Sequence, residues 1–190
     1  AVDTSGGYIA GDSCLVMGPG PIGLSAVQAC RALGAEKVVL VGTREERLKI
    51  GREVGATHTI NIRETEDVLG ELMKITGGKG FERTYDCAGT ESSFDVCMRA
   101  TMKGQKMTIV SFYKDAIKAD LNYAIRNGIQ LHTVRGEGGN NCKRALSLMA
   151  QGKVTAKPIM THIFPMEEFD KAYDYFVNRK DGAMKVIITP

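Results

Sequence analysis

The stretch Ser13-Cys14-Leu15-Val16-Met17-Gly18-Pro19-Gly20-Pro21-Ile22-Gly23 decides the fold. A short apolar run meets a G-x-G-x-x-G pattern and passes into a helical one. Cys14 to Met17 are all apolar, as in a strand covered on both faces. Gly18 permits a tight turn. Gly20 removes a side chain where a diphosphate would approach the backbone, and Gly23 lets the next helix pack close to the strand. The free N–H groups of a first helical turn, with the helix dipole, attract phosphates. Pro21 suits the first helical position, where no N–H partner is needed. Ile22, Ala26, Cys30 and Leu33 follow at helical spacing and predict one apolar face. Gly34 closes that helix. In a chain with 22 glycines the pattern alone is weak. Its place between strand and helix favours dinucleotide binding over a turn with only a packing role.

Outward from this turn, strand-like runs begin near Ser13, Lys37, His58, Arg83, Gln105 and Ile129. Helical patterns fill most intervals, at 22–34, 44–54, 65–76, 91–101 and 119–127. Such βα alternation predicts an α/β, doubly wound Rossmann fold with a six-stranded parallel sheet. The glycine turn after the first strand predicts the order 3-2-1-4-5-6. Gly77 to Gly80 reads as a turn, Gly136 to Asn141 as a polar loop, and 142–151 as a helix. The reading divides the chain into a cofactor-binding domain, 1–153, and a tail, 154–190. The tail reads as strand, helix and strand: Ile159 to Phe164, Pro165 to Arg179 and Met184 to Thr189. Phe169, Tyr173 and Phe176 stand at helical spacing and are expected in a core.

Composition excludes several classes. The net charge is +3, from 25 basic and 22 acidic side chains, too mild to argue for nucleic acid or membrane partners. No apolar stretch approaches the roughly 20 residues of a membrane span. Five cysteines (14, 30, 87, 97 and 142) form no C-x-x-C pair, which reads as reduced thiols in a cytoplasmic protein. His58, His132 and His162 lack the spacing of a zinc motif. The start, Ala1-Val2-Asp3-Thr4, has no initiator methionine and fits a processed or excised piece.

The end of the second strand selects the dinucleotide. NAD sites place an acid there, about 20 residues past the glycines, to take the ribose 2′-OH. Here the position falls near Gly42, in Val41-Gly42-Thr43-Arg44, and no carboxylate is present. Gly42 leaves room, Thr43 offers a hydroxyl, and Arg44 offers a planar fork for a 2′-phosphate. Arg47 stands one turn on. This favours NADP, with NAD still possible, and counts against FAD or S-adenosylmethionine. The competing view makes Arg44, Arg47, Lys49 and Arg52 a solvated helix face with Glu45, Glu46 and Glu53.

Together the segments resemble the zinc-type alcohol dehydrogenases of the medium-chain dehydrogenase/reductase family, in the style of polyol and threonine dehydrogenases. The carriers are Gly11-Asp12, the glycine turn, Leu33-Gly34-Ala35, Val54-Gly55-Ala56-Thr57, Thr76 to Phe81, Asp86-Cys87-Ala88-Gly89, and Lys157-Pro158 with Thr161 to Pro165. Gly42-Thr43-Arg44 is similar to the Gly-Ser-Arg of NADP-dependent members. The resemblance implies that Cys87, Ala88 and Gly89 lie near the nicotinamide ribose. It implies that Val110, Ser111 and Phe112 offer backbone to the carboxamide, and that Lys185 lies near the pyrophosphate. Many members carry an Arg after the sixth strand. Arg135 is close, and Glu137 stands at the aligned position.

The family's zinc ligands belong to an N-terminal GroES-like domain, and none of them is found in this chain. The metal is therefore expected only in that domain, to which the tail from about 155 would return. No catalytic residue is assigned here. The resemblance implies hydride transfer between a secondary alcohol or polyol and nicotinamide, and pairing of copies through the sixth strand, Gln130 to Arg135. Two alternatives stay open: a non-catalytic NADP-binding module, and a zinc-free quinone or enoyl reductase of the same superfamily. A short-chain dehydrogenase is disfavoured, since no Y-x-x-x-K occurs.

Overall fold

Six strands carry the first part of the chain: β1 (Ser13–Met17), β2 (Lys37–Gly42), β3 (His58–Asn61), β4 (Phe81–Asp86), β5 (Thr101–Ile109) and β6 (Gln130–Thr133). Between and after them run α1 (Pro21–Ala32), α2 (Glu45–Glu53), α3 (Val68–Ile75), α4 (Glu91–Ala100), α5 (Leu121–Asn127) and α6 (Asn141–Ala150). The computed structural model describes residues 1–2, 9–136 and 140–190. Glu137, and with it residues 138 and 139 of the loop expected after the sixth strand, lies outside the described residues.

The sheet order is β3-β2-β1-β4-β5-β6, and every pairing is parallel. This is the doubly wound Rossmann sheet expected from the βα rhythm. Cys14 pairs with Val38 on one side and Arg83 on the other, so β1 is the centre from which the chain winds both ways. β1 and β2 are almost wholly buried, which explains their unbroken apolar runs. Leu15, Met17, Val39, Val41, Phe81 and Met107 form the core of one layer with Phe94 and Met98 of α4. At the opposite ends of the strands, Arg83 donates from Nε to Asp12 Oδ2 at 2.8 Å.

Two local readings need correction. Ile22 and Leu33 were expected on the buried face of α1, but Ile22 is 55% exposed and Leu33 is also exposed. The buried face is Gly23, Leu24, Ala26, Val27, Gln28 and Cys30: Ala26 and Cys30 of the expected row lie at its edge, while Ile22 and Leu33 turn out of it. β5 begins at Thr101 rather than Gln105, continuous with α4. Gly104, at φ +76°, sits inside this strand.

By contact the chain divides into two units, Ala1–Val154 and Thr155–Pro190. The second holds β7 (Met160–Pro165), a 3-10 turn at Met166–Glu168, α7 (Phe169–Asn178) and β8 (Lys185–Thr189). β7 and β8 pair in parallel. Tyr175 packs on Phe164, with ring centroids 5.2 Å apart, and Ala172 is buried. Phe169, Tyr173 and Phe176, expected in a core, are 52%, 60% and 57% exposed. They flank the Ala172 stripe on the side away from Tyr175, and the two-stranded sheet leaves that flank uncovered.

Candidate functional site

The turn after β1 is set by backbone contact. Gly18 adopts φ +101°, a region L side chains avoid, and its N–H donates to Val41 O at 2.9 Å. A Cβ on Gly23 would stand 1.9 Å from Gly18 O. Both glycines are therefore required by the fold. Gly20 differs: a Cβ there would meet nothing within 4 Å. Gly20 caps α1 and Pro21 occupies its first turn, so the leading N–H groups have no partner within the helix. These features form a cradle open at Gly20 and tight at Gly18 and Gly23, and they suit a pyrophosphate. Ile22 is exposed at its rim.

Beside it, β2 ends at Gly42. The room expected there is taken: a Cβ on Gly42 would lie 2.4 Å from Pro19 Cγ. Thr43 is exposed, and Arg44 is the residue before α2. Arg44 makes no ion pair among the described residues, whereas Arg52 is paired with Glu45 at 2.5 Å and donates to Thr59 Oγ1 at 2.7 Å. The solvated helix face thus accounts for Arg52. It leaves Arg44 with its fork uncommitted. Arg47 is half-buried one turn on.

Across the switch between β1 and β4, a buried carboxylate organises the next two turns. Asp86, fully buried, accepts through Oδ1 from Ala88 N (3.0 Å), Gly89 N (3.1 Å) and Ser93 Oγ (2.9 Å). Its Oδ2 accepts from Tyr113 Oη at 2.5 Å. Its own carbonyl accepts from Val110 N (3.0 Å), Ser111 N (3.1 Å) and Ser111 Oγ (3.1 Å). Burial, then the carboxylate beside it, hold the Tyr113 phenol well above its usual range, so it remains a donor. Cys87 N donates to Met17 O at 2.9 Å. A Cβ on Gly18 would lie 3.0 Å from Cys87 C and Ala88 N, and one on Gly89 would lie 2.6 Å from Phe112 O. Burial, then Asp86, push the Cys87 thiol up to about 12.

The structure therefore brings Gly18 to Gly23, Gly42 to Arg44, Cys87 to Gly89 and Val110 to Phe112 into one row at the carboxyl ends of β2, β1, β4 and β5. Phe112 is exposed, with its backbone against Gly89. Lys185 opens β8 in the second unit and is exposed there. Sequence reasoning missed Asp86 as the hub and Tyr113 as its partner. The G-x-G-x-x-G pattern pointed to the turn, but nothing in sequence linked Asp86 to a tyrosine in the loop after β5.

A row of turns at a switch point, with a glycine cradle at its centre, defines a dinucleotide-binding α/β protein. The chain belongs to the zinc-binding dehydrogenase family, whose model matches residues 21–151. It is 30% identical over 184 residues to an alcohol dehydrogenase of Cupriavidus necator, covering 95% of this chain and 50% of that protein. It is 31% identical over 186 residues to an L-threonine 3-dehydrogenase of Bacillus licheniformis, covering 97% and 53%. Among solved structures, 2R,3R-butanediol dehydrogenase from Bacillus subtilis superposes with a TM-score of 0.90 at 23% identity, covering 100% of this chain and 54% of that one. The chain thus spans about half the length of the curated relatives it matches.

The family implies a zinc ion and a nicotinamide cofactor. No group of three or more His, Cys, Asp or Glu side chains that could hold a metal comes together among the described residues. These residues do not fit the zinc, and no step is derived through it. They do fit the dinucleotide, since the cradle is open where its backbone approach is needed. No described helix is long and apolar enough to cross a membrane.

Proposed function

We propose that this chain is the cofactor-binding part of an NADP-dependent oxidoreductase acting on a secondary alcohol or polyol. The observation that carries the cofactor choice is the end of β2. No acid stands there, and the Arg44 guanidinium is free of any ion pair among the described residues. Backbone N–H groups of Gly20, Ile22 and Gly23 would hold the pyrophosphate, with Pro21 fixing the turn between them. Thr43 and Arg44, with Arg47, would hold the 2′-phosphate. The Cys87–Gly89 and Val110–Phe112 turns would orient the nicotinamide end. When bound, the nicotinamide accepts or donates the hydride.

The alcohol and polyol reading rests on the family and on relatives named for alcohol, threonine and sorbitol. This 190-residue chain is expected to bind cofactor without oxidising alcohols, because its described residues assemble no metal ligands. Its five free thiols fit the reducing cytoplasm. β6 lies at the edge of the sheet with Leu131 exposed, and we assign it to pairing with a second copy. A monomer by light scattering overturns that pairing.

Fluorescence titration with NADPH and NADH tests the cofactor. NADPH is expected to bind more tightly. Arg44→Ala should lose about tenfold for NADPH, as for ~1.5 kcal/mol of charge-assisted hydrogen bonding, and little for NADH. Equal affinities in the native chain would sink the reading.

A further inference from the structure

We infer that Pro19 is a second determinant of cofactor choice, because its ring fills the place at the end of β2 from which an acidic side chain would have to start. The role in choice rests on the NADP reading above, whereas the steric coupling it uses does not.

A Cβ built on Gly42 would lie 2.4 Å from Pro19 Cγ, 2.5 Å from Pro19 Cδ and 3.4 Å from Leu48 Cδ2. Ordinary carbon contacts stand at about 3.5–4.0 Å. Gly42 has no positive φ, so its glycine is needed for space and not for conformation. The obstacle is stiff. Cδ of a proline is bonded to its own backbone nitrogen, so the ring cannot rotate aside as a free side chain would. Clearing it means moving the backbone of residue 19, in the middle of the phosphate turn.

That backbone is pinned on both sides. Gly18 N is held by Val41 O at 2.9 Å, and Gly18 lies against Cys87 and Ala88. Gly18 O lies against Gly23 so closely that a Cβ there would be 1.9 Å away. A carboxylate at position 42, the feature that selects a ribose 2′-OH, therefore displaces the cradle that holds the pyrophosphate. Gly42→Asp alone should weaken both cofactors rather than exchange one for the other. A route to NAD opens only when the ring is removed as well.

The test is a cycle in the full chain: native, Gly42→Asp, Pro19→Ala, and both together. Each is titrated with NADPH and NADH, and its thermal midpoint is recorded. Gly42→Asp is expected to lower the midpoint and to lose at least tenfold for both cofactors. The double variant should recover midpoint and bind NADH at least tenfold more tightly than Gly42→Asp does. If Gly42→Asp binds NADH as tightly as the double variant, Pro19 is no determinant and the inference is overturned. If Gly42→Asp does not fold, Gly42→Ala replaces it; failure of Pro19→Ala to restore the midpoint lost by Gly42→Ala overturns the inference equally. Native protein that binds both cofactors alike is a different result. It defeats the NADP reading and the role in choice, and the midpoints still report the coupling.

Discussion

On the β1–β2 side of the site, backbone meets backbone and ring across glycines; on the β4–β5 side, one buried carboxylate gathers four side-chain and backbone donors. The first side has no room for added atoms at Gly18, Gly23 or Gly42, yet it leaves a charge, Arg44, uncommitted at its edge. The second has its charge fully engaged, and its shape depends on that engagement. The difference teaches where each kind of change will act. Added bulk should damage the phosphate cradle, while a lost acceptor should loosen the turns assigned to nicotinamide.

The largest expected effect is on the glycine side. Gly23→Ala puts a methyl group 1.9 Å from Gly18 O, and neither backbone segment can retreat. We expect a loss of about 3 kcal/mol, the upper end for overpacking, read by urea denaturation. A stable Gly23→Ala protein would show that the turn and α1 can separate, and the comparison would lose its first term.

Next comes Asp86→Asn. The substitution keeps shape but replaces one acceptor oxygen with a donor among four donors, and about 2–3 kcal/mol should be lost. Its more telling readout is a pair of ligands. Binding of NADPH should weaken, while binding of adenosine 2′,5′-bisphosphate, which lacks the nicotinamide half, should hold. Arg44→Ala should weaken both. If Asp86→Asn weakens both ligands equally, the two sides are one structural unit and the contrast fails. Tyr113→Phe is the gentler version. It removes one of the four donors to Asp86, for about 1.5 kcal/mol, with the same split between ligands.

The two sides also differ in how far they could be read from sequence. The glycine side is local: strand, turn and helix are contiguous, and each glycine's task follows from its neighbours in the chain. Pairing order followed too, because parallel β strands need helical crossovers and β1 must sit at the centre. The carboxylate side is not local. Asp86 and Tyr113 are separated by a helix and a strand, and only the register of β4 against β5 brings them together. Gly42 shows the same limit within the readable side. Its lack of an acid was plain, but Pro19 above it depends on how the turn leans over β2. Ile22, Phe169, Tyr173 and Phe176 fail for a related reason: helical spacing defines a face, and only the packing partner decides whether that face is covered.

The smallest effect concerns Cys87, which sits where the two sides meet, its N–H on Met17 O and its thiol near Asp86. Burial and then the carboxylate push the thiol up to about 12. The folded state therefore holds the proton through the range in which an unfolded thiol, near 8.5, gives it up. The sign follows. This group's contribution to stability is complete below about pH 8.5 and declines as pH rises towards 12. At pH 8 Cys87 is therefore held as the thiol, whereas the thiolate is the reactive form. Brief alkylation at that pH, mapped by mass spectrometry, should label exposed Cys142 and spare Cys87. Asp86→Asn removes the neighbouring charge and loosens the turn, so labelling of Cys87 should rise severalfold in that variant. Gly23→Ala, if it folds, should raise it only to the extent that global unfolding does. Equal labelling of Cys87 in the native chain and in Asp86→Asn would mean that the carboxylate governs neither the thiol nor the turn that carries it.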